Sequence, residues 1–182
     1  MIPVCPHVTR LSRQIRGRGI GVYRLEQERE ADWWEVEALY DLCFAPGRTA
    51  LSSYRLRDGV PTVADLCALL RDEDGTLAAA IRYWPVMVGD KPVLLLGPVA
   101  VHPTRQGEGL GALLIAETLA EARRIGWERV MLVGDAPYYR RFGFRKLEKV
   151  VMPPPTNPER VLGMPLVIGA WEGVEGLVTK AT

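Results

Sequence analysis

The segment Arg105-Gln106-Gly107-Glu108-Gly109-Leu110-Gly111 is where the sequence best suits chemistry. Glycines at alternate positions remove the Cβ atoms from one side of a turn, so backbone N–H groups can point into open space. If a helix starts there, its N-terminus adds a partial positive charge, and the result is a cradle for an anion such as a pyrophosphate. Arg105 can add a full charge. The plain alternative is a glycine-rich turn that only starts a helix.

A second segment runs Asp135-Ala136-Pro137-Tyr138-Tyr139-Arg140-Arg141-Phe142-Gly143-Phe144. A tyrosine hydroxyl is a weak acid of pKa about 10 and can hand a proton to a leaving group. Adjacent tyrosines also serve as packing. A third feature is Gly97-Pro98 inside an apolar run. Proline cannot donate to a strand ladder, so a bulge is expected here, with the strand parting from a neighbour and leaving backbone groups free.

The elements that must position these residues follow from periodicity. A strand is expected over 21–25. Asp32 caps a helix over 33–44, ended by Pro46-Gly47. Residues 48–65 read as a short helix and a loop. Strands over 66–71 and 76–88 are joined through Asp72-Glu73-Asp74-Gly75, a hairpin signal. A strand over 92–101, a helix over 109–125 and a strand over 129–133 make a βαβ unit with two parallel strands and a right-handed crossover. A short helix over 138–142, a sixth strand over 144–151 and a seventh near 161–168 complete the order. Residues 1–19 hold Arg10, Arg13, Arg16 and Arg18 without an acid and read as a basic, mobile arm. Residues 20–170 read as one domain and 171–182 as a tail.

Taken together, Val99-Ala100-Val101-His102-Pro103, Gln106-x-x-Gly109-x-Gly111 and Tyr138-Tyr139-x-x-Phe142-Gly143-Phe144 resemble the GNAT N-acetyltransferase superfamily. Val133-Gly134-Asp135-x-Pro137-Tyr138-Tyr139 and Pro158-Glu159-Arg160 resemble its YhbS-like bacterial branch. The resemblance implies an α/β (α+β) fold. Its sheet would be mixed and mostly antiparallel, with six to seven strands, a splayed central parallel pair and helices on both faces. It also implies acetyl-CoA as donor. The donor-binding residues would be Val99, Ala100, Val101, Arg105, Gln106, Gly107, Glu108, Gly109, Leu110, Gly111, Ala112 and Tyr138. Tyr139 would be the catalytic acid for the departing thiolate, and the N–H of Val101 an oxyanion donor. No base is assigned, because 93–101 lacks the carboxylate many relatives carry. Asp135 is the nearest candidate but suits a structural turn. Arg48, Tyr54, Arg55, Arg57, Arg82 and Trp84 fall where an acceptor pocket is expected. If they line it, a carboxylate or phosphate on the acceptor follows; otherwise the arginines are solvated and Trp84 lies in the core.

Composition narrows the remaining classes. The chain of 182 residues is 48% hydrophobic and 25% charged, with a net charge of +1. This suits one globular domain and gives no bulk field for nucleic acid or an anionic membrane. The apolar runs are too short to span a bilayer. Cys5, Cys43 and Cys67 have no metal or disulfide spacing, and His7 and His102 cannot complete a zinc site, so no metal is expected and the cytoplasm is the expected location. The acceptor is expected to be a small-molecule or peptide amine, with a homodimer allowed. Two other functions stay open. One is a non-catalytic acyl-CoA-binding regulatory module. The other is a dinucleotide oxidoreductase, since Gly107-Glu108-Gly109-Leu110-Gly111-Ala112 fits G-x-G-x-x-G/A. Against the latter, only 47 residues (182 − 135) follow Asp135.

Overall fold

The computed structural model describes residues 13–16, 21–44 and 47–181. Strand β1 (Arg13–Arg16) is followed by β2 (Val22–Gln27), helix α1 (Trp33–Cys43), the one-turn helix α2 (Ser52–Arg55), β3 (Ala68–Arg71), β4 (Leu77–Val88) and β5 (Lys91–Val101). Helix α3 (Leu110–Arg124), β6 (Arg129–Val133), the one-turn helix α4 (Ala136–Tyr139), β7 (Arg145–Lys146), β8 (Val150–Val151), β9 (Val161–Pro165) and β10 (Gly176–Lys180) complete it. The strands run β1-β2-β3-β4-β5-β6-β9-β7 across one sheet, and β10 joins β4 and β8. Neighbours along that path are antiparallel except β5 and β6. A doubly wound parallel sheet, as a dinucleotide-binding fold requires, does not form.

Side-chain alternation sorts the core into layers. Ala79, Ile81, Tyr83, Leu94 and Leu96 face one side with Leu114, Ile115 and Leu119 of α3. Ala80 and Ala100 face the other, under Val36, Leu39 and Tyr40 of α1. The far end of the sheet carries a third cluster, in which Val86, Val88, Val93 and Leu95 meet Val174 and Val178. Tyr83 shares a buried hydrogen bond of 2.8 Å with Thr118, locking α3 to β4. A satisfied buried pair of this kind contributes about 1 kcal/mol.

Three expectations need correction. The sixth strand is two short pieces, because β7 pairs with β9 while β8 pairs with β10. The expected tail contains β10, which pairs antiparallel with Val86 to Val88 of β4 and buries Val178. Within the expected mobile arm, Arg13–Arg16 is an edge strand in register with Val22 to Leu25, and Arg13 pairs with Glu117 of α3 at 2.5 Å. The rest of that arm, with Cys5 and His7, lies outside the described residues. Short edge strands carry little periodic signal, since few of their side chains are buried.

Candidate active site

The opening expected at Gly97-Pro98 is present. Ile81 pairs with Val99 but Tyr83 pairs with Leu96, so Gly97 and Pro98 together oppose Arg82 in a bulge. Gly97 has φ +116°, a region L side chains avoid. β6 pairs with β5 only at Leu94↔Val130 and Leu95↔Met131, whereas it pairs with β9 along all five residues, Arg129–Val133. Past the bulge β5 therefore follows β4 and leaves β6. The His102 N–H donates to Ala78 O at 2.8 Å. Strand alternation then turns the backbone of Val99 and Val101 away from β4, toward the opening. The Val101 carbonyl accepts from Cys43 Sγ at 3.3 Å.

The glycine segment lies at that opening. Gly107 (φ +89°) and Gly109 (φ +80°) bring the chain to the start of α3. The first bond into the helix is Leu113 N–H to Gly109 O at 3.0 Å. The N–H groups of Leu110, Gly111 and Ala112 therefore face forward at the positive end of a 15-residue helix. They open onto a groove of about 870 Å³. Of the sequence-expected residues, Val101, Arg105, Gln106, Gly107, Gly109, Leu110, Gly111, Ala112 and Tyr138 line it.

Val99, Ala100, Glu108 and Tyr139 are not among the lining residues. Ala100 is buried beneath α1, so it can offer only backbone. The Glu108 carboxylate accepts from the Tyr23 hydroxyl and stands 3.9 Å from Arg105. Burial and this carboxylate raise the Tyr23 pKa. Arg105 is also tied to Asp72 at 2.9 Å, so its charge is largely engaged. The groove has lining residues that sequence reasoning missed as binders: Arg16, Leu113, Ala116, Arg141 and Phe142. Phe142 had a signal in the Tyr-x-x-Phe spacing. Arg141 had none, because only folding lays its guanidinium 4.0 Å from the Tyr138 ring centre.

The two tyrosines diverge. Tyr138 is exposed at the groove. Tyr139 turns inward, edge-on to Phe144 with ring centres 5.8 Å apart. It lies against Gly134, where a Cβ would overlap its Cε2. Burial pushes the Tyr139 hydroxyl up to about 12, so it stays protonated. Asp135 is an exposed turn residue paired with Arg160 at 3.3 Å. Burial raises the Cys43 thiol and takes Cys67 to about 11, which leaves both poor nucleophiles.

A second cavity, of about 1130 Å³, lies beyond the bulge, and Pro98 lines it. Arg48, Tyr54, Arg55, Arg57, Arg82 and Trp84 all line it, so the expected cluster does form. Arg82, buried on β4, grips Glu28 in a fork, Nε donating to Oε2 at 2.9 Å and Nη2 to Oε1 at 2.6 Å, and also pairs with Glu37. Arg48 reaches Glu37 at 2.6 Å and Asp41 at 2.8 Å. The Tyr40 hydroxyl donates to Pro98 O at 3.3 Å, fixing the bulge to α1. Trp84 is buried at 9% exposure and borders the cavity, so the core reading and the pocket reading both hold for it. Among the described residues no group of three His, Cys, Asp or Glu side chains is placed to hold a metal, and no helix is long and apolar enough to cross a membrane.

Residues 33–144, which include most of the lining of both cavities, match the acetyltransferase (GNAT) family. The chain belongs to that family. Two relatives in Escherichia coli K12 are the uncharacterized N-acetyltransferases YjhQ and YhbS. YjhQ is 36% identical over 103 residues, 47% of this chain and 57% of that protein. YhbS is 30% identical over 112 residues, 60% of this chain and 65% of that protein. The matched region thus spans less than two thirds of either relative. The crystal structure of E. coli YhbS in complex with CoA superposes with a TM-score of 0.75 at 24% identity, covering 96% of this chain and 93% of that one. A GNAT acetyltransferase from Brucella melitensis in complex with acetyl-CoA is 32% identical, with a TM-score of 0.56, covering 77% and 94%. The overall fold is thus shared with these solved structures over most of their length.

Proposed function

We propose that this GNAT chain is an acetyl-CoA-dependent N-acetyltransferase that moves an acetyl group to a primary amine by direct attack on the thioester. The observation that carries the reading is the end of the β5–β6 ladder after Leu95, beside a helix N-terminus that opens onto a groove. Unpaired strand backbone suits the pantetheine amides, and forward-facing N–H groups suit the pyrophosphate. Val99 and Val101 pair with the former. Residues 106–111 hold the latter, with Arg141 as the nearby cation.

The amine lone pair forms the C–N bond at the thioester carbonyl carbon. The Val101 N–H meets the oxyanion. The C–S bond then breaks with its electron pair on sulfur, and the Tyr139 O–H supplies the proton to that thiolate. β5 has no carboxylate, and Glu28 and Glu37 are both committed to Arg82. The reading therefore gives the proton leaving nitrogen to water, and water returns a proton to the Tyr139 phenolate. The acceptor is a small-molecule or peptide amine, and the expected setting is the cytoplasm.

The inward turn of Tyr139 favours a second reading, an acyl-CoA-binding regulatory module without turnover. Thiol release from acetyl-CoA across an amine panel separates the two. Turnover in the wild type that falls at least about a hundredfold in Tyr139→Phe supports the enzyme, in line with the usual worth of a general acid. Tight acetyl-CoA binding with no thiol released by any amine supports the module.

A further inference from the structure

Three arginines reach the interior of the larger cavity, and their charges are treated differently. Arg82 is neutralised by Glu28 and Glu37, and Arg48 by Glu37 and Asp41. Among the described residues no carboxylate pairs with Arg57. It follows α2 in a turn in which its N–H bonds Tyr54 O at 3.0 Å. This places its guanidinium 4.5 Å from the Tyr54 ring centre and 4.7 Å from that of Trp84. Arg57 is 9% exposed, and its Nε and Nη1 are buried with no hydrogen-bond partner. Burial draws its pKa down to about 10, which still leaves it charged at neutral pH.

Aromatic faces hold a cation but accept none of its in-plane hydrogen bonds. A buried guanidinium without an anion is costly, and the positive Arg48 nearby adds to the cost. The cavity thus lacks one negative group, at a known place. The remaining nitrogen, Nη2, lies 3.8 Å from where a Cβ on Gly97 would stand, at the bulge itself. Val99 and Val101, the backbone that would flank the thioester, follow the bulge directly.

We infer that Arg57 receives a carboxylate on the acceptor, so the acceptor is an amino acid whose carboxylate lies a few bonds from the amine to be acetylated. This rests on the cavity being the acceptor side of the transfer proposed above. A planar fork matches a carboxylate and fixes the direction of the attached amine. The charge of Arg57 would also favour amines carrying an acid over otherwise identical ones.

The test uses the full chain loaded with CoA, and α-amino acids each paired with its decarboxylated amine, such as phenylalanine with phenethylamine and lysine with cadaverine. Binding is measured by calorimetry, and thiol release is measured in parallel with acetyl-CoA. At least one amino acid is expected to bind about tenfold or more tightly than its amine, as a charged hydrogen bond warrants. Arg57→Gln is expected to erase that preference while the Kd for CoA holds. Arg57→Lys, which keeps charge without the fork, is expected to fall between. Should Arg57→Gln not fold, the wild-type pairs still decide.

A panel in which no pair favours the acid, or a preference that survives in Arg57→Gln, overturns the inference. So does tighter binding of the matching aminophosphonates, which would assign Arg57 to phosphate. Equal thiol release from both members of every pair sinks the inference and leaves the acetyltransferase reading intact. Arg57-dependent binding without thiol release does the reverse.

Discussion

The Tyr138 hydroxyl stands 3.4 Å from the point a Cβ on Gly111 would occupy, and Val101 Cγ2 is equally close to that point. The first turn of α3, the open backbone of β5 and the tyrosine segment therefore converge within one side chain's width. That point is bounded by protein side chains at the limit of van der Waals contact, and Gly111 is helical, so an alanine fits by pressing on Tyr138 and Val101. Gly111→Ala is expected to raise stability by up to about 1 kcal/mol through helix propensity while weakening CoA binding. Opposite signs in thermal melting and calorimetry would confirm this. Unchanged CoA affinity would remove Gly111 from the donor site.

Gly134 serves Tyr139 in another way. Its added methyl would overlap the Tyr139 ring and lie 2.9 Å from Leu132 Cδ1. Gly134→Ala should push the tyrosine out of place, lowering kcat far more than it weakens acetyl-CoA binding. A loss confined to KM would argue that Tyr139 does not act on the leaving group.

The raised Tyr139 hydroxyl makes a pH test possible. An acid is active while protonated, so activity that needs it persists below its folded pKa of about 12 and is lost only above it. With increasing pH, kcat should climb as the acceptor amine deprotonates and should show no fall through pH 10, where an ordinary tyrosine would be half ionised. A fall centred near 10 that disappears in Tyr139→Phe would contradict this.

Arg105 and Arg141 both border the groove but should not contribute equally. Arg105 is engaged by Asp72 and Glu108, whereas Arg141 rests on the Tyr138 and Phe142 rings. Arg141→Ala is expected to weaken CoA binding about threefold to tenfold, with a shallower salt dependence, and Arg105→Ala to do less. The reverse order in a salt titration would show that the Arg105 pairs open when CoA binds.

Arg82 is expected to support the acceptor cavity as a structural group. Removing it leaves Glu28 buried without its partner, while Glu37 keeps Arg48. Arg82→Met should cost about 3 kcal/mol in denaturant unfolding. A near-neutral result would mean that Glu28 turns to solvent.

Much of this was legible in the residues themselves. The helix over Leu110–Arg124, the strands on either side of it and the glycine segment at its start follow from local rules: side-chain period, glycine's access to positive φ and the limits proline places on a ladder. The bulge at Gly97-Pro98 was readable for the same reason. Folding alone decided which charges meet. Glu28 lies in a loop, Glu37 on α1 and Arg82 on β4, and nothing in their spacing says that they neutralise one another while Arg57 goes without. Tyr138 and Tyr139 have identical side chains on adjacent residues, yet one faces the groove and the other the core. Local sequence sets backbone conformation, but pairing of charges and the facing of rings depend on distances between elements far apart along the chain.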